Sequence, residues 1–134
     1  MLSSIGLLVI RLVVGLTLAA HGAQKLFGWF GGYGPKGTGG FFDSIGFKPG
    51  VFLAVLVGLA EFGGGLMVAA GFLTWLGAAF ITIVMLGALL KVHAKNGFWV
   101  TSNGIEFTLI IIAVVVGIAF IGAGDYSLDA LWFK

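Results

Sequence analysis

The sequence predicts an all-α integral membrane protein, a four-helix bundle of antiparallel up-down topology, and three observations predict it. Of the 134 residues, 60% are hydrophobic and only 9% charged, too few charges to cover the surface of a water-soluble domain. Long apolar runs fall at residues 5–27, 51–71, 74–92 and 105–124, each near the ~20 residues a helix needs to cross hydrocarbon. The breaks between them are glycine-rich or charged. Lipid offers the backbone no hydrogen bonds, so helices that pair every polar group internally are the workable solution for so short a chain. The four runs use nearly all of residues 1–134, which read as one domain with no soluble catalytic module.

The first run begins MLSSIGLLVIRLVVGL. It lacks a basic leader, carries Arg11 inside the apolar stretch and continues past signal-peptide length, so it is expected to persist as a mature helix. Arg11, Gly15, Leu18, Gly22 and Lys25 recur at helical spacing and form a small-and-polar stripe suited to close helix contact. In the second run Gly58, Glu61 and Gly65 form a matching stripe. The second and third runs are joined by AGFLTW, read as a tight turn on the outer face that carries no polar partner for a transmembrane path.

Lys25, Lys36 and Lys48 surround the connection 28–50, and Lys91 and Lys95 border the connection 93–104, whereas the opposite face has only Lys134. The excess of basic residues places both connections in the cytoplasm of a cell (inner) membrane and both termini outside. Trp29, Tyr33, Trp75, Trp99 and Tyr126 fall near the ends of the runs, where interfacial aromatics belong. At ~1.5 Å per residue, Arg11 lies about 21 Å and Glu61 about 15 Å from the cytoplasmic edge, an offset that an arginine side chain bridges. An intramembrane Arg11–Glu61 ion pair is therefore expected, either fixing helix register or forming part of a proton or headgroup site.

A second polar group collects where the runs meet the cytoplasm. His21, Gln24 and Lys25 end the first helix, His93 and Asn96 end the third, and Asn103 and Glu106 open the fourth. Because these helix ends share one membrane face, they are expected to converge on a single pocket mouth, with His21, His93 and Glu106 at its centre. Taken singly, each has a plainer role: a carboxylate in a first turn favours the helix dipole, and lysines snorkel. Haem ligation by the two histidines and a metal site of His21, His93 and Glu106 are weaker readings, because their spacing carries no signature, and no metal is assigned. Imidazole is well suited to hydrogen bonding and proton exchange with a quinone headgroup.

The stretch GGYGPKGTGG holds Gly32, Gly34 and Gly37 in the order G-x-G-x-x-G. A dinucleotide turn needs a preceding strand and an acidic residue about 20 positions on, and neither is present. Lys36 precedes Gly37, which excludes a P-loop as well. Instead, this long connection, with Phe30, Phe41, Phe42 and Phe47 among its glycines, is read as a flexible lid lying on the membrane interface over the pocket.

HGAQKLFGWFGGYG, LAEFGGGLMVAAGFLT, KVHAKNGFW and NGIEFTLIIIA occur in an order that closely resembles the DoxX family of small bacterial and archaeal four-helix membrane proteins. The resemblance runs from about residue 5 to 122. By position it carries over His21, Gln24, Lys25, Glu61, Gly64, His93, Asn96, Gly97, Asn103 and Glu106, and Arg11 matches the usual basic position in the first helix. Its functional implication is mixed. Some members are the small membrane subunit of a thiosulfate:quinone oxidoreductase, others are tied to resistance to quinones and catechols, and some mycobacterial members join a complex with superoxide dismutase and a sulfurtransferase.

Three function classes follow. The first is a redox-associated membrane protein that binds quinone or a small aromatic ligand, or assembles with a soluble oxidoreductase subunit. The second is a carrier or exporter of small aromatic or sulfur compounds, and the third a scaffold for partner proteins. Catalysis by this chain alone is not expected, since it has no cysteine and no nucleophile–base constellation. Quinone is the one cofactor expected. The lipid bilayer is a partner, stripes of small residues also suit a homo-oligomer, and the modest +2 charge does not point to nucleic acid.

Overall fold

The computed structural model describes residues 1–133; Lys134, counted above on the outer face, lies outside the described residues. Among the described residues the chain is helical, with no strand. The helices are α1 (Leu2–Phe27), α2 (Gly34–Ser44), α3 (Gly50–Ala70), α4 (Thr74–Ala88), α5 (Glu106–Ile121) and the short α6 (Leu128–Trp132). The helix of α4 continues through a π-helical turn, Leu89–His93, and a 3₁₀ turn, Ala94–Asn96. Three helices are long and apolar enough to cross a membrane, Leu2–Phe27, Gly50–Ala70 and Thr74–Asn96, and the apolar helix Glu106–Ile121 is shorter.

Glycine decides how α1 meets α3. A Cβ on Gly15 would strike Gly65 O and Ala69 N, and one on Gly22 would strike Phe62 N and Gly58 O. The two backbones are thus in direct contact along the expected stripes, a close approach only small residues permit. Contacts climb α1 from Gly15 to Gly22 as they descend α3 from Ala69 to Gly58. α3 then packs on α4, and α4 on α5. Leu18, Val68, Ala78, Ile81, Met85, Ile111, Val115 and Ile118 fill the space between these four helices. Outward-facing positions such as Val9, Leu66 and Phe120 are exposed and apolar, the arrangement expected where the surroundings are hydrocarbon.

The connection 28–50 is not the flexible loop expected. Residues 34–44 form α2, which packs against α3. Pro35 stands in the first turn, where its missing N–H costs nothing. Thr38, Phe41, Phe42 and Ile45 follow at i, i+3, i+4 and i+7, the spacing of one helix face. High glycine content hides this periodicity, yet it has a packing role: a Cβ on Gly39 would strike the Val51 backbone, and one on Gly50 would strike Gly39 O.

At the other end, residues 71–73 turn the chain between α3 and α4. Gly71 takes φ 69°, a left-handed conformation that glycine adopts freely, and Phe72 N–H donates to Met67 O at 2.9 Å. α5 stops at Ile121, three residues before the end of the apolar run, because Gly122 (φ 97°) and Gly124 (φ 86°) turn the chain back across this end. Phe72 is then covered by Trp132, their ring centroids 5.7 Å apart.

Candidate functional site

A cavity of about 770 Å³ lies between α2, α3 and α4, within the ~300–1,000 Å³ typical of small-molecule sites. The inner face of α2 contributes Thr38, Phe41 and Phe42, α3 contributes Val57 and Glu61, and α4 contributes Ile83, Val84 and Ala88. The π-helical turn widens the helix, as i→i+5 bonding does, and brings Lys91, Val92 and His93 to the same wall. Gln24 and Lys25, at the end of α1, close the remaining side. Most of this lining is aromatic or aliphatic, so the polar groups stand out.

Chief among them is an ion pair between Lys25 and Glu61, with Nζ 2.5 Å from Oε1 and side-chain exposures of 23% and 3%. The expected partner, Arg11, is not the one found. Helix register explains the correction: with Gly15 set against Gly65 and Ala69, Arg11 sits beside the end of α3, about eight residues or 12 Å of helix from Glu61. Lys25 lies one turn beyond Gly22, and its Cβ is close to Gly58, one turn before Glu61. Although in contact with Lys25, Glu61 Oε1 is buried without an aligned hydrogen bond. Gln24 Nε2 donates to Phe30 O at 3.2 Å, which ties residues 28–33 to the end of α1.

His93 ring Nδ1 lies 2.8 Å from Asn103 O. A carbonyl only accepts, so Nδ1 carries the proton and Nε2 of the neutral ring is left as an acceptor. The Asn96 amide donates to the same carbonyl at 3.1 Å and to Val92 O at 3.3 Å. Asn103 has φ 60°, a left-handed conformation that asparagine tolerates, and it contributes its backbone oxygen to this cluster. Glu106 accepts from Val100 N–H at 2.8 Å, bracing the turn before α5.

The expected group therefore divides. Gln24, Lys25 and His93 line the cavity together with Glu61, whereas Asn96, Asn103 and Glu106 shape the 93–106 connection beside it. His21 packs on Phe107, ring centroids 6.1 Å apart, and is not in the cavity wall, so a pocket centred on His21, His93 and Glu106 is not what these residues build. Among the described residues, no three His, Asp or Glu side chains gather closely enough to hold a metal ion. Phe41 and Phe42, expected in a flexible lid over the pocket, instead form a wall on one face of α2; the 38, 41, 42, 45 spacing was the signal for it.

The opposite end is polar too, contrary to expectation. Arg11, 1% exposed, donates to Ala123 O at 2.6 Å, Tyr126 O at 2.9 Å and Ala69 O at 3.3 Å. Two of these carbonyls lie at or just beyond the C-terminal ends of α3 and α5, where helices leave unpaired acceptors and negative partial charge. Asp129 accepts from Leu73 N–H at 2.6 Å, Thr74 N–H at 3.0 Å and the Thr74 hydroxyl at 2.6 Å, which caps the start of α4. Residues 122–129 thereby fasten α1, α3, α4 and α5 at one end.

Comparison with known proteins bears on this arrangement. The DoxX family model matches residues 6–94, a span that holds most of α1, all of α2 to α4, the Lys25–Glu61 pair and the cavity-lining residues. The chain is 28% identical over 130 residues to a Bacillus subtilis (strain 168) protein named "Putative oxidoreductase CatD", covering 97% of this chain and 89% of that one. It is 32% identical over 133 residues to inner membrane protein YqjF of Escherichia coli (strain K12), covering 99% and 96%. Identity to the uncharacterized membrane protein Rv3486 of Mycobacterium tuberculosis (strain ATCC 25618 / H37Rv) is 30% over 130 residues, covering 90% and 77%. No solved structure matches the chain. On the family match and the apolar spanning helices together, this chain is a membrane protein of the DoxX family.

Proposed function

We propose that this protein is a redox-associated membrane protein whose cavity binds a lipid-soluble aromatic ring of the quinone class. The observation that carries the reading is the Lys25–Glu61 pair, its carboxylate buried and its lysine half-buried, set in an otherwise aromatic and aliphatic wall beside His93. A flat ring fits the apolar lining, and a few polar groups orient it, the usual division of labour in small-molecule sites. The oxidoreductase label in the Bacillus subtilis relative's name agrees with this reading.

In the same proposal α1, α3, α4 and α5 form one antiparallel four-helix domain in a cell membrane, with both termini outside. The lysines at 25, 36, 48, 91 and 95 support a cytoplasmic location for residues 28–50 and 93–104. Without cysteine the chain has no thiol chemistry of its own, so electrons would pass to or from a soluble oxidoreductase subunit at that face. A carrier is less well supported: Leu18, Val68, Ile81 and Val115, each 0% exposed, fill the space between the cavity and the Arg11 cluster.

Equilibrium binding of 1-naphthol and 1,4-naphthoquinone to the protein in lipid nanodiscs tests the reading. At least one ring is expected to bind saturably. Val57→Trp, which fills the cavity with a larger side chain, is expected to abolish that binding, and His93→Ala to weaken it several-fold. Glu106→Ala, outside the wall, is expected to leave it within about twofold, less than the worth of one neutral hydrogen bond. Binding that is indifferent to Val57→Trp would remove the cavity as the site.

A further inference from the structure

We propose that the cavity selects hydroxyl-bearing aromatic rings, the reduced form of a quinone, over the oxidised ring. This rests on the cavity being a ligand site, and it follows from which hydrogen-bonding groups the wall leaves unused. Glu61, 2% exposed and paired with a lysine, is a carboxylate that only accepts. Its Oε1 is buried against Lys25 Nζ, and among the described residues no donor reaches Oε2, which is left to accept. His93, with Nδ1–H committed to Asn103 O, offers Nε2 as a second acceptor. Gln24 has committed an amide N–H to Phe30 O, which leaves its carbonyl oxygen as a third.

Donors are present as well. Lys25 Nζ has N–H groups beyond the one facing Glu61, Gln24 keeps its second amide N–H, and the Thr38 hydroxyl both gives and takes. Lys91 is exposed, and Tyr33 is 83% exposed, so both stand at the solvent rim. A ring carbonyl brought against Glu61 would set acceptor on acceptor, with both groups stripped of water. A hydroxyl in the same place donates to the carboxylate, a charge-assisted bond of the stronger kind, while its oxygen accepts from Lys25. The ion pair is then a two-point reader of an O–H group: Glu61 takes the proton side and Lys25 the lone pairs.

Three probes of similar size separate the possibilities in nanodiscs: 1-naphthol, 1-methoxynaphthalene, which accepts but cannot donate, and 1,4-naphthoquinone. A hydrogen bond to a charged group discriminates by about tenfold or more, so wild-type protein is expected to bind 1-naphthol at least about tenfold more tightly than either other probe. In Glu61→Gln, whose amide donates as well as accepts, the gap between 1-naphthol and 1,4-naphthoquinone is expected to close to within about threefold. If wild-type protein binds all three within about threefold of one another, hydroxyl selection is overturned while the ligand site stands. Saturable binding of none of them overturns both. The wild-type comparison needs no variant to fold.

Discussion

Replacing Arg11 by alanine is expected to cost about 3–5 kcal/mol of stability, the range seen when a buried charge network loses one partner. That is a large share of the roughly 5–15 kcal/mol that holds a domain folded. The guanidinium reaches Ala69, Ala123 and Tyr126 carbonyls from two separate segments, the end of α3 and the 122–126 return, and among the described residues no other side chain donates to them. Without it, Ala123 O, at the buried end of the chain's return path, keeps the desolvation penalty of an unpaired acceptor. Arg11→Lys is expected to restore only part of the loss, because an ammonium is a point charge and the three carbonyls are met by a planar fork. Denaturant titration in detergent micelles, read by circular dichroism, measures this. An Arg11→Ala protein as stable as wild type would mean the carbonyl cluster holds nothing together.

The Lys25–Glu61 pair should behave differently from any pairing that includes Arg11. Removing one member leaves an uncompensated charge beside the cavity, at a cost of about 3 kcal/mol, the low end of the buried-pair range, since Lys25 keeps 23% of its side chain exposed. The double change Lys25→Met/Glu61→Leu, which replaces both charges with apolar groups, is expected to cost less than either Lys25→Ala or Glu61→Ala alone. Losses from Arg11→Ala and Glu61→Ala are expected to add within about 0.5 kcal/mol, because the two sites are far apart and share no partner. The same unfolding titrations read both cycles. Additive losses for Lys25 and Glu61, or strong coupling of Arg11 with Glu61, would contradict the register of α1 against α3.

Apolar runs and small-residue stripes carried the helices and their contact faces directly into the sequence. Gly15, Gly22, Gly58 and Gly65 sit where stripe spacing put them, because only close backbone approach explains glycine in that pattern. The partners of Arg11 were not legible, since backbone carbonyls have no residue identity and their position depends on where residues 122–126 return. Glu61 was paired with Arg11 from the sequence, and only the register of α1 against α3 shows that Lys25, on the same stripe, is its partner. α2 was hidden for a compositional reason: Gly34, Gly37, Gly39 and Gly40 read as flexibility, although Phe41, Phe42 and Ile45 hold helical spacing. The cluster at the helix ends was legible as a region. Its division was not, because Asn103 acts through its carbonyl and Glu106 through the backbone of Val100.

Photolabelling with a diazirine-bearing naphthol in native-like nanodiscs tests the central claim most directly, since it reports where the ring sits. The result expected is label on Phe41, Phe42, Val57 and Val84, the apolar walls around Glu61, suppressed by excess 1-naphthol. Label confined to outward-facing residues such as Val9, Leu66 and Phe120, and insensitive to that excess, would show a ring dissolved in lipid and contradict a ligand site in the cavity.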